Sequence, residues 1–168
     1  DERKWVPLQQ KNIDFGGGFE RVCMLVQKKS DIFESDIYMP IIDKVSELCG
    51  KPYKNSGVDN EFTAAFRVIA DHGRAATFIL ADGVSPSNKD QGYILRRFIR
   101  RLVRFGRKLG IEMMFTKEVA ARVLDVLAHA YPHLEDQRAV VLEKIHQEEL
   151  AFNATLAKGL RELSKLQA

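Results

Sequence analysis

Apolar residues recur along most of this chain at intervals of three and four positions, which is the spacing that gathers them on one face of an α-helix. The pattern predicts six helices joined by loops. Their predicted spans are 22–29, 30–50, 59–81, 92–110, 116–130 and 134–168. Residues 11–15 instead alternate polar and apolar side chains, as a short strand does. The expected fold class is therefore mainly α, a helical bundle with a short N-terminal strand segment.

The predicted helix 92–110 contains seven basic residues and no acidic one. At about 100° per residue, its apolar and basic residues separate onto two faces. The apolar face comprises Ile94, Leu95, Phe98, Ile99, Leu102, Phe105 and Leu109. The basic face comprises Arg96, Arg97, Arg100, Arg101, Arg104, Arg107 and Lys108. Because no acidic residue within the helix relieves the repulsion between these arginines, either a polyanion or another helix must balance their charge.

The net charge of +3, from 26 basic and 23 acidic residues, hides an uneven distribution. Without the seven basic residues of helix 92–110, the remainder has 19 basic and 23 acidic residues, a net charge of −4. Arginine, which dominates the basic face, is the side chain that forks onto a phosphate or a guanine edge. The distribution favours a nucleic acid partner. The alternative is a salt-bridge network with Glu143, Glu148 and Glu149 of the last predicted helix.

The composition excludes several other classes of protein. Apolar residues make up 45% of the chain and charged residues 29%, as in a soluble globular protein with a real core. No apolar run approaches the roughly 20 residues of a membrane span, and no secretory leader is found, so a cytoplasmic location is expected. Cys23 and Cys49 are expected to be reduced, buried thiols. Because the chain begins at Asp1 without Met, we expect it to be part of a longer protein.

Two further patterns are weak on their own. His72 follows Asp71, but no second ligand lies at a workable spacing, so a hydrogen-bonding role is expected and no metal site is predicted. The glycines at 16–18 follow the predicted strand and open a helix, a place where backbone N–H groups can face an anion and Arg21 can add a charge. Three glycines more often form only a tight turn.

Three stretches together resemble a known family. N-I-D-F-G-G-G-F-E-R (12–21) resembles the third signature motif of class II aminoacyl-tRNA synthetases in its alanyl form. R-V-I-A-D-H-G-R (67–74) and A-D-G-V-S-P-S-N-K-D-Q-G-Y-I-L-R-R-F-I-R-R (81–101) are similar to the middle region of alanyl-tRNA synthetases. The resemblance implies that residues 1–29 are a C-terminal remnant of the catalytic domain, including its motif 3 strand and helix. It implies that residues 30–168 are a helical tRNA-recognition domain.

The resemblance also implies roles for individual residues. Asp14 would hold the amino group of alanine, Gly16 and Gly18 would let the backbone approach ATP, and Arg21 would contact its phosphates. Asn88 would help to read the G·U wobble pair in the acceptor stem of alanine tRNA. The candidates for phosphate contacts or structural ion pairs would be Arg96, Arg97, Arg100, Arg101 and Arg104. An asparagine can donate and accept at a base edge, whereas arginines supply position and affinity.

The chain also departs from the family pattern. Phe15 and Gly17 replace a small Thr and a bulky Met, and the first two class II motifs are missing. The resemblance therefore implies a fragment that binds the acceptor stem and is inactive alone. The parent enzyme would use ATP, Mg²⁺ and alanine, and this fragment would hold no cofactor. The alternatives are a helical protein-interaction bundle and a split-synthetase subunit that needs a separate catalytic chain. An exposed N-terminal strand would also allow dimerisation.

Overall fold

The computed structural model describes residues 6–55 and 57–167, which form seven α-helices, a 3-10 turn and a β-hairpin. The helices are α1 (Phe19–Val26), α2 (Met39–Cys49), α3 (Thr63–Ala81), α4 (Asp90–Leu109), α5 (Thr116–Leu127), α6 (His133–Asp136) and α7 (Arg138–Gln167). The hairpin pairs β1 (Lys54–Asn55) with β2 (Val58–Asp59) in antiparallel register. The predicted mainly α fold is confirmed. The parts of the predicted elements and domains at residues 1–5 and 168 lie outside the described residues.

Helix α3 lies at the centre of the bundle and packs against α2, α4, α5, α6 and α7. Its sequence suits this position because small residues such as Ala70 and Ala76 share its buried face with bulky Ile69 and Leu80. The small residues let neighbouring helices approach, and the bulky ones fill the space between them. The predicted basic helix packs against the core that is built around α3.

Helix α4 is the predicted basic helix, and its apolar face is turned toward α3. Leu95, Ile99, Leu102 and Leu109 are fully buried, as the periodicity predicted. Ile94 is an exception, because 43% of it is exposed, so its assignment to the buried face was wrong. The contact face of α4 runs through positions 95, 99, 102 and 106, which leaves position 94 on the flank of the helix.

Two predicted helices begin or divide differently in the structure. Within 30–50 the sequence offers Ser35 or Asp36 as the N-cap of the helix, and the structure begins this helix at Met39. A 3-10 turn at residues 32–34 precedes it, in which Asp31 accepts a hydrogen bond from Phe33 N at 3.0 Å. The predicted helix 134–168 is divided into α6 and α7 at Gln137. The β-hairpin was not predicted, because its two strands have only two residues each and carry no visible period.

The predicted strand at residues 11–15 is not formed, because residues 11–18 have neither helical nor strand structure. A strand requires a partner for its backbone hydrogen bonds, and no other segment in the described ranges pairs with this one. Ile13 is 94% exposed and Phe15 is also exposed. Dimerisation through this exposed segment stays a prediction.

A cluster of charged residues attaches the β-hairpin to α3. Asp31 accepts hydrogen bonds from Arg67 Nη2 at 2.6 Å and from the Tyr53 hydroxyl at 2.8 Å, and it lies 3.2 Å from Lys54 Nζ. Burial alone would raise the pKa of Asp31, but the hydrogen bonds from Phe33 N, Tyr53, Arg67 and Lys54 outweigh it and lower the pKa to about 2. The carboxylate of Asp31 is therefore stabilised in its charged form by folding.

Two expectations about the whole chain can be compared with the structure. Cys23 and Cys49 are free thiols, and both are half-buried, not fully buried as expected. Among the described residues, no helix is both long enough and apolar enough to cross a membrane.

Candidate nucleic-acid interface

The six arginines of α4 differ in their contacts. Arg107 Nη2 donates to Asn153 Oδ1 on α7 at 3.2 Å, and the other five divide into two groups. Arg96 and Arg100 turn toward α7, where Arg100 Nε lies 2.9 Å and Arg96 Nε 3.3 Å from the carboxylate of Glu148. Glu148 is only 7% exposed, so its charge requires these partners. Because one carboxylate faces two guanidinium groups, this cluster keeps one net positive charge.

The second group comprises Arg97, Arg101 and Arg104, which point into solvent. None of the three makes a hydrogen bond or ion pair with any residue in the described part of the chain. They recur at intervals of four and three along α4 and therefore lie on one side of it. We call these three residues the outer arginines. Their charge is not neutralised within the fold, and this is the property that a phosphate-binding surface requires.

Aromatic rings border the arginine face of α4. The guanidinium of Arg100 lies 5.3 Å from the ring centroid of Phe152 on α7, a distance at which cation–π attraction operates. Tyr93, which is half exposed, and Phe152 line a shallow groove of about 240 Å³ together with the arginines. The groove is shallow enough for a polymer strand to lie across it.

Asn88 lies in the loop between α3 and α4 and is exposed next to this face. Its Oδ1 accepts a hydrogen bond from Arg96 Nη1, and Arg96 Nη2 donates to the backbone carbonyl of Pro86 at 3.4 Å. The structure thus brings Asn88 and Arg96 into contact, and the roles that the resemblance implies for Asn88 and the arginines stay predictions. The resemblance could not tell that Arg96 bonds to Asn88 itself.

The loop that carries Asn88 is packed tightly against the first turn of α4. Ser87 N donates to the carbonyl of Gly92 at 3.0 Å, and Lys144 Nζ of α7 donates to Ser85 Oγ at 2.9 Å. A Cβ atom at position 92 would overlap Ser87 Oγ and the carbonyl of Ser85, so only glycine allows this approach. Asp90 has a positive φ of 50°, which is strained for a residue with a side chain. The loop thus has contacts with α4 on one side and with α7 on the other.

Of the three glutamates that were considered as partners for the arginines, only Glu148 has that role. Glu143 instead accepts from Gln147 Nε2 at 2.6 Å. Glu149 is 1% exposed and caps α5, accepting from Thr116 N at 3.0 Å, Thr116 Oγ1 at 2.7 Å and Phe115 N at 3.2 Å. The sequence held one signal of this contact, because Phe115 precedes α5 and has no side-chain oxygen to cap it.

The residues assigned to alanine and ATP lie elsewhere. Asp14, Gly16, Gly18 and Arg21 are all exposed, and the structure does not bring them to the arginine face. A Cβ atom at Gly16 would have no neighbour within 4 Å, so no cradle closes around the glycines. These residues therefore do not fit a nucleotide by themselves, and no catalytic step can be derived from them.

Helix α1 is nevertheless tied to the bundle through its acidic residue. Glu20 Oε1 accepts from Arg74 Nη1 at 2.6 Å, and the same nitrogen donates to the Tyr38 hydroxyl at 3.0 Å. The hydrogen bond from Arg74 holds the pKa of Glu20 below its usual value. Next to this pair, His72 Nδ1 lies 3.2 Å from Asp71 Oδ2, and this hydrogen bond lowers the pKa of Asp71. His72 thus has the hydrogen-bonding position that its sequence context predicted, and no group of three or more potential metal ligands occurs among the described residues.

The structure is therefore a helical bundle that presents arginines without partners among the described residues next to an exposed asparagine loop. Comparison with known proteins identifies the family. The model of the family described as "tRNA synthetases class II (A)" matches residues 1–168. The chain therefore belongs to the class II (A) tRNA synthetase family.

Among the curated relatives that this chain matches are several alanine–tRNA ligases. That of Myxococcus xanthus is 46% identical over 167 residues, which cover 96% of this chain and 18% of the relative. That of Pelotomaculum thermopropionicum is 44% identical over 168 residues, covering 100% of this chain and 19% of the relative. That of Dehalococcoides mccartyi strain 195 is 42% identical over 159 residues, covering 95% of this chain and 18% of the relative. The chain thus spans less than a fifth of the length of these proteins.

Proposed function

We propose that this chain binds the acceptor stem of alanine tRNA through the outer arginines and the Asn88 loop. The observation that carries the proposal is the set of three exposed arginines, without partners within residues 6–55 and 57–167, next to an exposed asparagine. Along α4 these arginines extend over about 10 Å, so they can contact more than one phosphate of a strand. They supply affinity, whereas the amide of Asn88 can reach a base edge in the shallow groove of an RNA helix.

The paired arginines support this surface and do not form part of the contact with RNA. Arg96 and Arg100 are held by Glu148, and removing them from that carboxylate would leave a nearly buried charge without partners. Of the five arginines that the resemblance suggested, we therefore assign the phosphate contacts to Arg97, Arg101 and Arg104.

The complete protein, in this proposal, activates alanine with ATP and Mg²⁺ and transfers it to the tRNA. This chain contributes Asp14, Gly16, Gly18 and Arg21 to that site, where Arg21 would neutralise phosphate charge and Asp14 would hold an ammonium group. Because these residues lie in an open segment, the chain alone is expected to have no ligase activity.

The experiment is a titration of acceptor-stem hairpins that carry either G·U or G·C, at two salt concentrations. The logarithm of the binding constant falls as log salt rises, and each phosphate contact adds about 0.7–0.9 to the steepness of that fall. Arg101→Glu should therefore weaken binding to both hairpins and make the dependence on salt less steep. Lys117→Glu, an equal charge change at an exposed lysine on α5, is the control and should change much less. Because the chain contains only one candidate base reader, Asn88, we expect weak discrimination between the hairpins.

Two results would contradict the proposal. One is binding that does not respond to salt, which would favour a protein-interaction bundle over an RNA-binding surface. The other is an equal loss of affinity in Arg101→Glu and Lys117→Glu, which would show that general charge, not this face, attracts RNA.

A further inference from the structure

All three guanidinium nitrogens of Arg96 are used inside the protein. Nε donates to Glu148 at 3.3 Å, Nη2 donates to the carbonyl of Pro86 at 3.4 Å, and Nη1 donates to Asn88. The side chain is only 22% exposed. In contrast, the adjacent Arg97 is exposed and has no partner among the described residues. Arg96 therefore connects α7, the loop and Asn88, and three of its five N–H donors are used inside the protein.

This contact determines which end of the Asn88 amide faces outward. A guanidinium group has only donors, so the atom of Asn88 that faces Arg96 must be the carbonyl oxygen. The orientation follows from chemistry and does not depend on distinguishing nitrogen from oxygen in the coordinates. Because the oxygen side of the amide faces Arg96, the opposite end of the exposed Asn88 side chain, its amino group with two N–H donors, faces outward.

We propose that Arg96, anchored by Glu148, is a positioning residue that fixes the Asn88 side chain so that its amino group reads a hydrogen-bond acceptor on the RNA. The proposal rests on the proposed function and deepens it. It assigns to Asn88 an acceptor on the minor-groove edge or a ribose oxygen, and not the free exocyclic amine of guanine, which is itself a donor. Arg96 acts through Asn88 and does not touch the RNA.

The first test needs no RNA. In ¹⁵N relaxation of the side-chain amides, the Asn88 amino group should be ordered in the parent chain, with an order parameter above about 0.6. Arg96→Lys and Arg96→Gln should lower it to the level of Gln91, an exposed amide without a described partner. Arg97→Lys is the matched control and should leave Asn88 unchanged. An Asn88 amide as mobile as Gln91 in the parent chain overturns the proposal whether or not RNA binds.

The second test is a double-mutant cycle on the affinity for the G·U hairpin. Asn88→Ala and Arg96→Lys should each weaken binding by about fivefold, the effect of one hydrogen bond, and the double variant should be no weaker than either. Arg97→Lys should combine additively with Asn88→Ala. Additive losses for Arg96 and Asn88 would overturn the positioning role.

The two tests also separate the two proposals. If the parent chain fails to bind either hairpin, the proposed function is wrong. The relaxation experiment still tests, without RNA, whether Arg96 orders the side-chain amide of Asn88. Circular dichroism and a thermal melt of Arg96→Lys are the control for folding, and we expect both to match those of the parent chain. Arg96→Gln supplies a second variant without the charge.

Discussion

Glu149 allows the sharpest test of the fold. The N-cap residue of α5, Phe115, makes no side-chain capping hydrogen bond, and the carboxylate of Glu149 on α7 accepts hydrogen bonds at that helix end instead. It accepts hydrogen bonds from Phe115 N, Thr116 N and Thr116 Oγ1 at 2.7–3.2 Å, and it is 1% exposed. In Glu149→Ala the two backbone N–H groups would remain buried without an acceptor, and Thr116 Oγ1 would keep only its 3.5 Å contact with the carbonyl of Ile145. Since an unpaired buried donor costs about 1–3 kcal/mol and water will recover part of the loss, we expect destabilisation of about 3–5 kcal/mol.

The assay is urea denaturation with a parallel thermal melt. For a chain of this size, the expected loss corresponds to a fall in Tm of about 10 °C. Glu149→Gln keeps the shape but replaces one acceptor by a donor, so it should lie between the parent chain and Glu149→Ala. Glu143→Ala, which removes an exposed glutamate six residues earlier on the same helix, is the control and should change little. A loss below about 1 kcal/mol for Glu149→Ala would refute the capping role.

Two further predictions concern the support of the fold. The pKa of Asp31 falls from 3.8 to about 2 on folding. Its ionised carboxylate should therefore add roughly 2 kcal/mol to the free energy of unfolding above pH 4, and this contribution should disappear as the pH falls from 4 to 2. Urea denaturation across this range should show the decrease in the parent chain and a smaller decrease in Asp31→Asn; equal decreases would contradict it. A Cβ atom at Gly106 would overlap the Phe115 ring, so Gly106→Ala should lose about 1–3 kcal/mol despite its better helix propensity. Stabilisation of Gly106→Ala in the same measurement would mean that the ring moves freely.

The family assignment and the contacts explain different parts of the site. Residue-by-residue comparison placed Asn88 and the arginines in one region, and the structure brings them together. The division of the arginines could not be predicted, because it depends on where Glu148 of α7 meets α4, a contact between residues 52 and 48 positions apart in the chain. The N-terminal residues Asp14, Gly16, Gly18 and Arg21 keep their assigned roles as predictions. So does the domain boundary at residue 29.

The sequence alone determined the features that depend on residues close to one another along the chain. Periodicity of apolar residues identified the helical segments, and the separation of charge on helix 92–110 identified its basic face, because both follow from the 3.6-residue repeat. The tertiary structure decided which arginines keep their charge free, which glutamate caps α5, and that residues 11–15 do not form a strand. Each of these features depends on whether a partner from a distant segment is present. A hydrogen bond or ion pair needs both groups, and the periodicity of one segment gives no information about the other.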